Sequence, residues 1–362
     1  METTDSETTS YPSPLTVEGE SVERGTSPNC DSQMTDSGLE SIAENDCPVL
    51  GGNEVTQEFV FAMIDMFREG KNRMLSESDV VSILNRGLTI FKNEPTLVNV
   101  ELGETEKLTI CGDIHGQFFD LLNIFEMNNY PKAHNPYLFN GDIVDRGAFS
   151  VECVLTLLCF KILHPDKFFI ARGNHECDEV NELYGFSEEL RNKYPDSPLL
   201  IKKFSNLFNW LPLAHLINGK ILVVHGGLTG KKGLTLERIR KIRRGRPPPA
   251  MGEMTDLLWS DPKPDAGVSP SPRGSGVLFG PDVTEDFCRR NGIELIIRSH
   301  ELQMDGFSKT HNGRILTVFS APNYCDMHGN AGAYVTLNGS NLKPRPHVFY
   351  EVDHPEATPY IS

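Results

Sequence analysis

Apolar residues recur at spacings of three and four through Phe59, Met63 and Phe67, and again, after a polar break, through Val80, Val81, Leu84 and Leu88. That period predicts two amphipathic helices where order begins, near Glu54. Downstream the pattern changes. Residues 108–111, 137–140, 168–171, 221–224, 295–297 and 315–319 are short, nearly continuous apolar runs. Runs of that length read as strands buried on both faces. Helical spacing follows at Phe118, Leu121, Leu122 and Phe125, and across residues 149–163. The chain therefore reads as α/β, with six strands whose C-terminal ends converge on one rim, the edge at which open α/β sheets bind ligands. Residues 246–249 and 262–272, rich in proline, read as surface loops.

Each apolar run opens into a polar turn. In order these are Gly112-Asp113-Ile114-His115-Gly116, Gly141-Asp142-Ile143-Val144-Asp145-Arg146-Gly147, Arg172-Gly173-Asn174-His175-Glu176, His225-Gly226-Gly227, Arg298-Ser299-His300-Glu301 and Ser320-Ala321-Pro322-Asn323-Tyr324-Cys325. The glycines at 141 and 147 are expected to let the backbone turn sharply and approach a ligand closely. Collected on one rim, Asp113, His115, Asp142, Asn174, His225 and His300 combine carboxylate, amide oxygen and imidazole. Such a set suits two borderline divalent transition ions better than calcium or a structural zinc. Asp142, in the middle motif and on the central strand of the rim, is the expected bridge between them. Two ions about 3.5 to 4 Å apart activate a water and clamp a phosphoryl oxygen, so hydrolysis of a phosphate ester is the expected reaction.

The remaining polar groups complete that chemistry. Arg146 and Arg273 offer planar forks for non-bridging phosphate oxygens. His175 follows a ligand position and is expected to face away from the metals and protonate the leaving oxygen, with Asp145 orienting its ring. Glu176 and Glu301 read as braces for their loops. By the composition of its loop alone, Arg273 would be a solvated surface residue.

Charge and composition narrow the picture further. Of the net charge of −16, residues 1–53 carry −10, with eleven acidic residues against Arg24 alone. That leader is expected to be a disordered, solvated tail. Residues 54–355 are expected to form the catalytic domain, and 356–362 a short C-terminal tail. With 362 residues and 38% hydrophobic content, one large core suffices. An acidic chain disfavours nucleic acid as a partner. The eight cysteines form no CxxC pair and follow no signal peptide, which points to a reducing compartment, cytoplasmic or nuclear. No run reaches the roughly 18 apolar residues of a membrane span.

The motifs, in this order and with 29 residues from Asp113 to Asp142 and 32 from Asp142 to Asn174, resemble those of the phosphoprotein phosphatases. These are serine/threonine protein phosphatases of the metallophosphoesterase superfamily. Within that family the chain is most similar to the protein phosphatase five type, through Leu121-Leu122-Asn123-Ile124-Phe125-Glu126, Phe149-Ser150-Val151-Glu152, residues 201–212 and Leu257-Leu258-Trp259-Ser260-Asp261-Pro262. The resemblance covers about residues 54–355. It implies a calcineurin-like fold, a central β-sandwich of mixed sheets flanked by helices, and two metal ions, manganese in preparations and iron with zinc in cells. It also implies phosphoserine and phosphothreonine substrates in proteins, and regulatory or targeting subunits around a monomeric catalytic domain. On the matching positions, Asp113, His115 and Asp142 hold one ion, and Asp142, Asn174, His225 and His300 the other. Arg146, Asn174, Arg273 and Tyr324 meet the substrate, and His175 with Asp145 supplies the proton. The 53-residue leader is shorter than two 34-residue tetratricopeptide repeats, so the chain is expected to lack them. Two other readings compete: a metallophosphoesterase acting on nucleotides, and a catalytically weak scaffold with this fold.

Overall fold

The two helical periods near the start of the chain become α1 (Gln57–Arg68) and α2 (Glu77–Asn93), each entered through a hydroxyl cap. The side-chain oxygens of Thr56 and Ser76 accept from the N–H of Phe59 and of Asp79, both at 3.2 Å, satisfying donors that a first helical turn leaves unpaired. The structure is a computed structural model that describes residues 47–51, 54–70 and 73–357. Most of the acidic leader and the end of the C-terminal tail lie outside the described residues. The compact unit starts at Cys47, and Leu50 is buried within it, so apolar packing reaches upstream of the Glu54 boundary.

In chain order there follow β1 (Leu97–Val100), β2 (Lys107–Cys111), α3 (Phe118–Asn128), β3 (Tyr137–Phe139), α4 (Ser150–Leu163) and β4 (Phe168–Ile170). Next come α5 (Asp178–Tyr184), α6 (Phe186–Lys193), α7 (Leu199–Phe208), β5 (Ala214–Ile217), β6 (Ile221–Val224), α8 (Leu236–Arg240) and α9 (Glu253–Trp259). The chain continues through β7 (Asp261–Pro262), β8 (Val268–Pro270), β9 (Val277–Phe279), α10 (Pro281–Asn291), β10 (Leu295–Arg298), β11 (Phe307–Thr310), β12 (Ile315–Val318), β13 (Gly332–Asn338) and β14 (Arg345–Phe349).

The six strands read from the sequence are present, but they do not share one sheet. β2, β3 and β4 run parallel inside a five-stranded sheet of order β14-β13-β2-β3-β4. β6, β10 and β12 run parallel inside a six-stranded sheet of order β1-β5-β6-β10-β12-β11. The inner faces of the two sheets meet in one apolar layer that includes Ile110, Leu138, Phe169, Val223, Ile297 and Leu316. Strand alternation sends Tyr137, Phe139, Phe168 and Ile170 the other way, under α1 to α4, α6 and α7. On the far side Leu222, Val224, Ile296 and Ile315 lie under α8, α9 and α10. Both faces of each sheet are thus covered, which is why the runs are apolar at successive positions. This is the sandwich of mixed sheets flanked by helices that the resemblance implied.

Residues 262–272 are not simply a loop. β8 lies within them and pairs with β9 in a small sheet of order β7-β9-β8. Three-residue strands are too short to show a period, and the partner is supplied from beyond the segment. At the rim the two large sheets are joined. Asn140, directly after β3, donates through Nδ2 to Val224 O at 3.0 Å and to Ser299 Oγ at 2.9 Å, at the ends of β6 and β10. The backbone of Asp113 pairs with that of Phe319 in an isolated parallel bridge, after β2 and β12.

Candidate active site

Where the strand ends meet, Asp113, His115, Asp142, Asn174, His225 and His300 are all buried and come together as expected. The hydrogen bonds assign the tautomers. His115 Nδ1 donates to Val144 O at 2.9 Å and His225 Nδ1 donates to Asn140 O at 2.8 Å, because a carbonyl only accepts. In its neutral form each ring therefore turns an Nε2 lone pair into the site. His225 Nε2 then lies 2.9 Å from Asn174 Oδ1, 3.2 Å from Asp142 Oδ2 and 3.3 Å from His300 Nδ1. His115 Nε2 lies 3.6 Å from the same Asp142 oxygen and 3.8 Å from Asp113 Oδ2. With both rings neutral, acceptors crowd acceptors around Asp142 Oδ2, an arrangement that calls for cations between them.

The electrostatics agree. Burial works against charge on His225, yet the Asp142 and Asp113 carboxylates raise its pKa to about 9, so that without an ion Nε2 holds a proton in the place a cation would take. Burial and the neighbouring Asp142 raise Asp113 to about 7. Burial, followed by His175, lowers His115 to about 3 and leaves it the neutral ring that ligation needs. The donor set fits two divalent ions sharing Asp142.

Backbone hydrogen bonds orient these ligands. Asp142 Oδ1 accepts from His175 N at 2.9 Å, and Asp113 Oδ1 from His300 N at 3.1 Å. Glu176, fully buried, accepts from the N–H groups of Asp142, Ile143 and Gly173 at 2.7 to 2.8 Å, so it does brace its loop, and the central turn as well. Glu301 pairs with Arg298 in the same role. The turns are strained: His115, Asp142, Asp145, Arg146 and His300 hold φ between 47° and 73°, conformations that surrounding bonds must enforce. The glycines serve those turns rather than a ligand. A Cβ on Gly141, where φ is 88°, would come 2.4 Å from Gly173 N, and one on Gly147 would come 2.4 Å from His115 O. The space they leave is filled by the backbone of the adjacent turn.

His175 departs from expectation in one respect. Its ring does not face away from the ligands: one of its nitrogens lies within 4.8 Å of ligand atoms of His115 and Asp142. It stands edge-to-face on His115, with ring centroids 4.7 Å apart, because Asp145 holds Nδ1 at 2.7 Å. Asp145 is itself fixed by Asn181 Nδ2 at 2.9 Å and Phe186 N at 2.9 Å. Burial opposes protonation of His175, but the carboxylates of Asp142 and Asp145 outweigh it and raise its pKa.

A cleft of about 260 Å³ opens over this cluster, lined by both arginines, His175, Tyr184, Trp259 and Tyr324 among others. Arg146 lies over the Tyr184 ring at 4.1 Å, and its buried Nε has no hydrogen-bond partner among the described residues. Arg273 is not the free surface residue that its loop composition suggests. Its Nε donates to Asp261 Oδ2 at 2.6 Å, while Asp261 Oδ1 accepts from the buried Arg298 at 2.8 Å. The Tyr324 ring lies tilted against His115 at 5.1 Å and stacks with His328 at 5.7 Å. Sequence reasoning missed Asp261, Asn181 and Tyr184 as site residues. Asp261 lies in a segment singled out only by resemblance, and the two from α5 follow no apolar strand.

Comparison with known proteins is consistent with this geometry. The family model described as calcineurin-like phosphoesterase matches residues 106–304. Serine/threonine-protein phosphatase 5 of Homo sapiens is 50% identical over 312 residues, covering 86% of this chain and 62% of that protein. Serine/threonine-protein phosphatase T of Trypanosoma brucei brucei is 45% identical, covering 88% of this chain and 66% of that one. The chain thus spans somewhat under two thirds of these curated relatives. A solved structure of a protein serine/threonine phosphatase from Saccharomyces cerevisiae, described as similar to human phosphatase PP5, superposes with a TM-score of 0.80 at 41% identity. It covers 85% of this chain and 100% of its own. A second family model, described as PPP5 TPR repeat region, matches residues 22–99. The expectation of a chain without tetratricopeptide repeats is therefore not borne out. The leader alone is too short for two repeats, but the matched span runs on through α1 and α2.

Proposed function

Because the chain belongs to the calcineurin-like phosphoesterases, in the branch of serine/threonine protein phosphatases related to protein phosphatase 5, we propose that it hydrolyses phosphoserine and phosphothreonine monoesters in proteins. The observation that carries this reading is the approach of His115 Nε2 at 3.6 Å and His225 Nε2 at 3.2 Å, both turned into the site, to the same Asp142 Oδ2, beside a cleft holding two arginines. Asp113, His115 and Asp142 would hold one divalent ion, and Asp142, Asn174, His225 and His300 the other. Manganese would serve in vitro, with iron and zinc the candidates in cells. The pair would supply Lewis acidity toward the phosphoryl group and a nucleophilic water at neutral pH.

The chain's own side chains do the rest. Arg146 and Arg273 grip non-bridging oxygens of the phosphoryl group, with Asn174 and the Tyr324 hydroxyl beside them, and Asp261 aims the Arg273 fork. Glu176 keeps Asp142 and Gly173 in register so that the ligand cluster and the binding groups stay in fixed relation. His175, its pKa raised by the carboxylates of Asp142 and Asp145 and its Nδ1 held by Asp145, gives a proton to the serine or threonine oxygen as the ester bond breaks. The match at residues 22–99 supports regulatory interactions for the protein, and cytoplasmic or nuclear localisation is part of the same proposal.

The test is a substrate panel. Purified protein, with and without added manganese, is assayed on phosphoserine and phosphothreonine peptides, nucleotides and dinucleotide polyphosphates. Metal-dependent turnover of the peptides well above that of the nucleotides is expected. Preference for nucleotides would assign the site to the competing chemistry, and inactivity with both ions bound would leave a scaffold.

A further inference from the structure

We propose that Lys193 and Glu189, on α6, are positioning residues of the reaction, acting through the turn that carries Asp145 and Arg146; this rests on the phosphatase reading above. That turn is improbable by itself, since Asp145 and Arg146 are successive non-glycine residues with φ of 72° and 73°. Such a pair relaxes unless its surroundings hold it. Segment 184–193 supplies the hold along its whole length. Tyr184 O accepts from Arg146 N at 3.0 Å, and Phe186 N donates to Asp145 Oδ1 at 2.9 Å. Lys193 Nζ donates to Ala148 O at 2.9 Å.

Glu189 supplies the middle of the clamp. α4 begins directly after the turn, and its own cap residue, Phe149, provides no side-chain hydrogen bond. Glu189 takes that role from another helix: its carboxylate accepts from Ser150 N at 3.1 Å and Val151 N at 2.8 Å, where the helix dipole favours an anion. With its backbone so fixed, Ser150 turns Oγ back to accept from Asp145 N at 3.2 Å. Lys193 locks Glu189 in place at 2.8 Å and is held in turn by both oxygens of Glu152, at 2.7 and 2.6 Å. One ammonium and two carboxylates, all nearly buried, contribute little stability that apolar side chains of equal volume would not. They do fix distances and directions, and here the object fixed is the carboxylate that orients His175 and the arginine that meets phosphate.

The test uses the full chain loaded with metal, with metal content checked for every variant. kcat and KM are measured on a phosphoserine peptide and on nitrophenyl phosphate, whose leaving group departs without a proton, with thermal unfolding alongside. For Lys193→Met we expect kcat on the peptide to fall about 10- to 100-fold, the size of effect that small misplacement of a reacting group produces. On nitrophenyl phosphate kcat should fall far less, while KM rises for both substrates through Arg146. Lys193→Arg should restore most of the loss, and Ser150→Ala should show the same split in weaker form. If Lys193→Met does not fold, Ser150→Ala decides alone. Equal losses on both substrates, or a lowered melting temperature with unchanged constants per folded molecule, would overturn the inference. A wild-type chain silent on every phosphopeptide would instead overturn the reading it rests on.

Discussion

Asp145 Oδ2 stands 2.7 Å from His175 Nδ1, and the carboxylate has no exposed surface of its own. The pairing commits Nδ1 to Asp145 and leaves Nε2 as the nitrogen free to serve the cleft. It also favours a proton on the ring, since the raised pKa of His175 arises from Asp142 and Asp145 acting against burial.

His175→Asn should therefore lower turnover of a phosphoserine peptide by about 10² to 10⁴-fold, the usual loss for a general acid, and harm nitrophenyl phosphate hydrolysis much less. An acid must be protonated to act, so activity on the peptide should decline as pH rises through the raised His175 pKa. Asp145→Asn removes one cause of the raising and should move that decline to lower pH. A pH profile for both substrates checks this; an unmoved alkaline limb in Asp145→Asn would detach the pair from proton transfer.

Asp142→Asn keeps shape but removes the charge shared by both halves of the ligand cluster. Metal analysis should show at least one ion lost, with the fold retained by circular dichroism and activity abolished. Two ions retained with near-normal turnover would refute the bridging role.

Arg273→Lys keeps charge but replaces a planar fork with a point donor. Turnover should fall, and Asp261→Asn should reproduce part of the fall, because Asp261 holds the Arg273 Nε at 2.6 Å. Unchanged kinetics in both variants would return Arg273 to the solvent.

A stability prediction comes from the helical pair. A Cβ on Gly87 of α2 would lie 2.2 Å from Cδ1 of Leu158, which is buried in α4. Alanine gains about 1 kcal/mol of helix propensity, but overpacking a tight contact costs about 1 to 3 kcal/mol. Gly87→Ala should thus lower the melting temperature. A rise would mean that Leu158 swings aside at little cost.

By itself the sequence determined which ligand side chains reach the site. A buried strand advertises itself as an apolar run, and the residue after its last apolar position must leave the sheet at that end. Asp113, Asp142, Asn174, His225 and His300 all follow such runs, so their convergence was legible, and so was the chemistry of their mixed donors. The tertiary structure alone decided which strands are neighbours, because the hydrogen-bond partner of a strand lies far away in the chain and leaves no mark on its period. The six runs divide between two sheets, and Asn140 joins them through Val224 and Ser299, 84 and 159 residues away. The same limit hid Asp261, whose hold on Arg273 depends on the small sheet of β7, β8 and β9. It also hid the direction of His175, for a side chain's heading at a strained turn is set by what packs around it, here Asp145, Asn181 and the ring of His115.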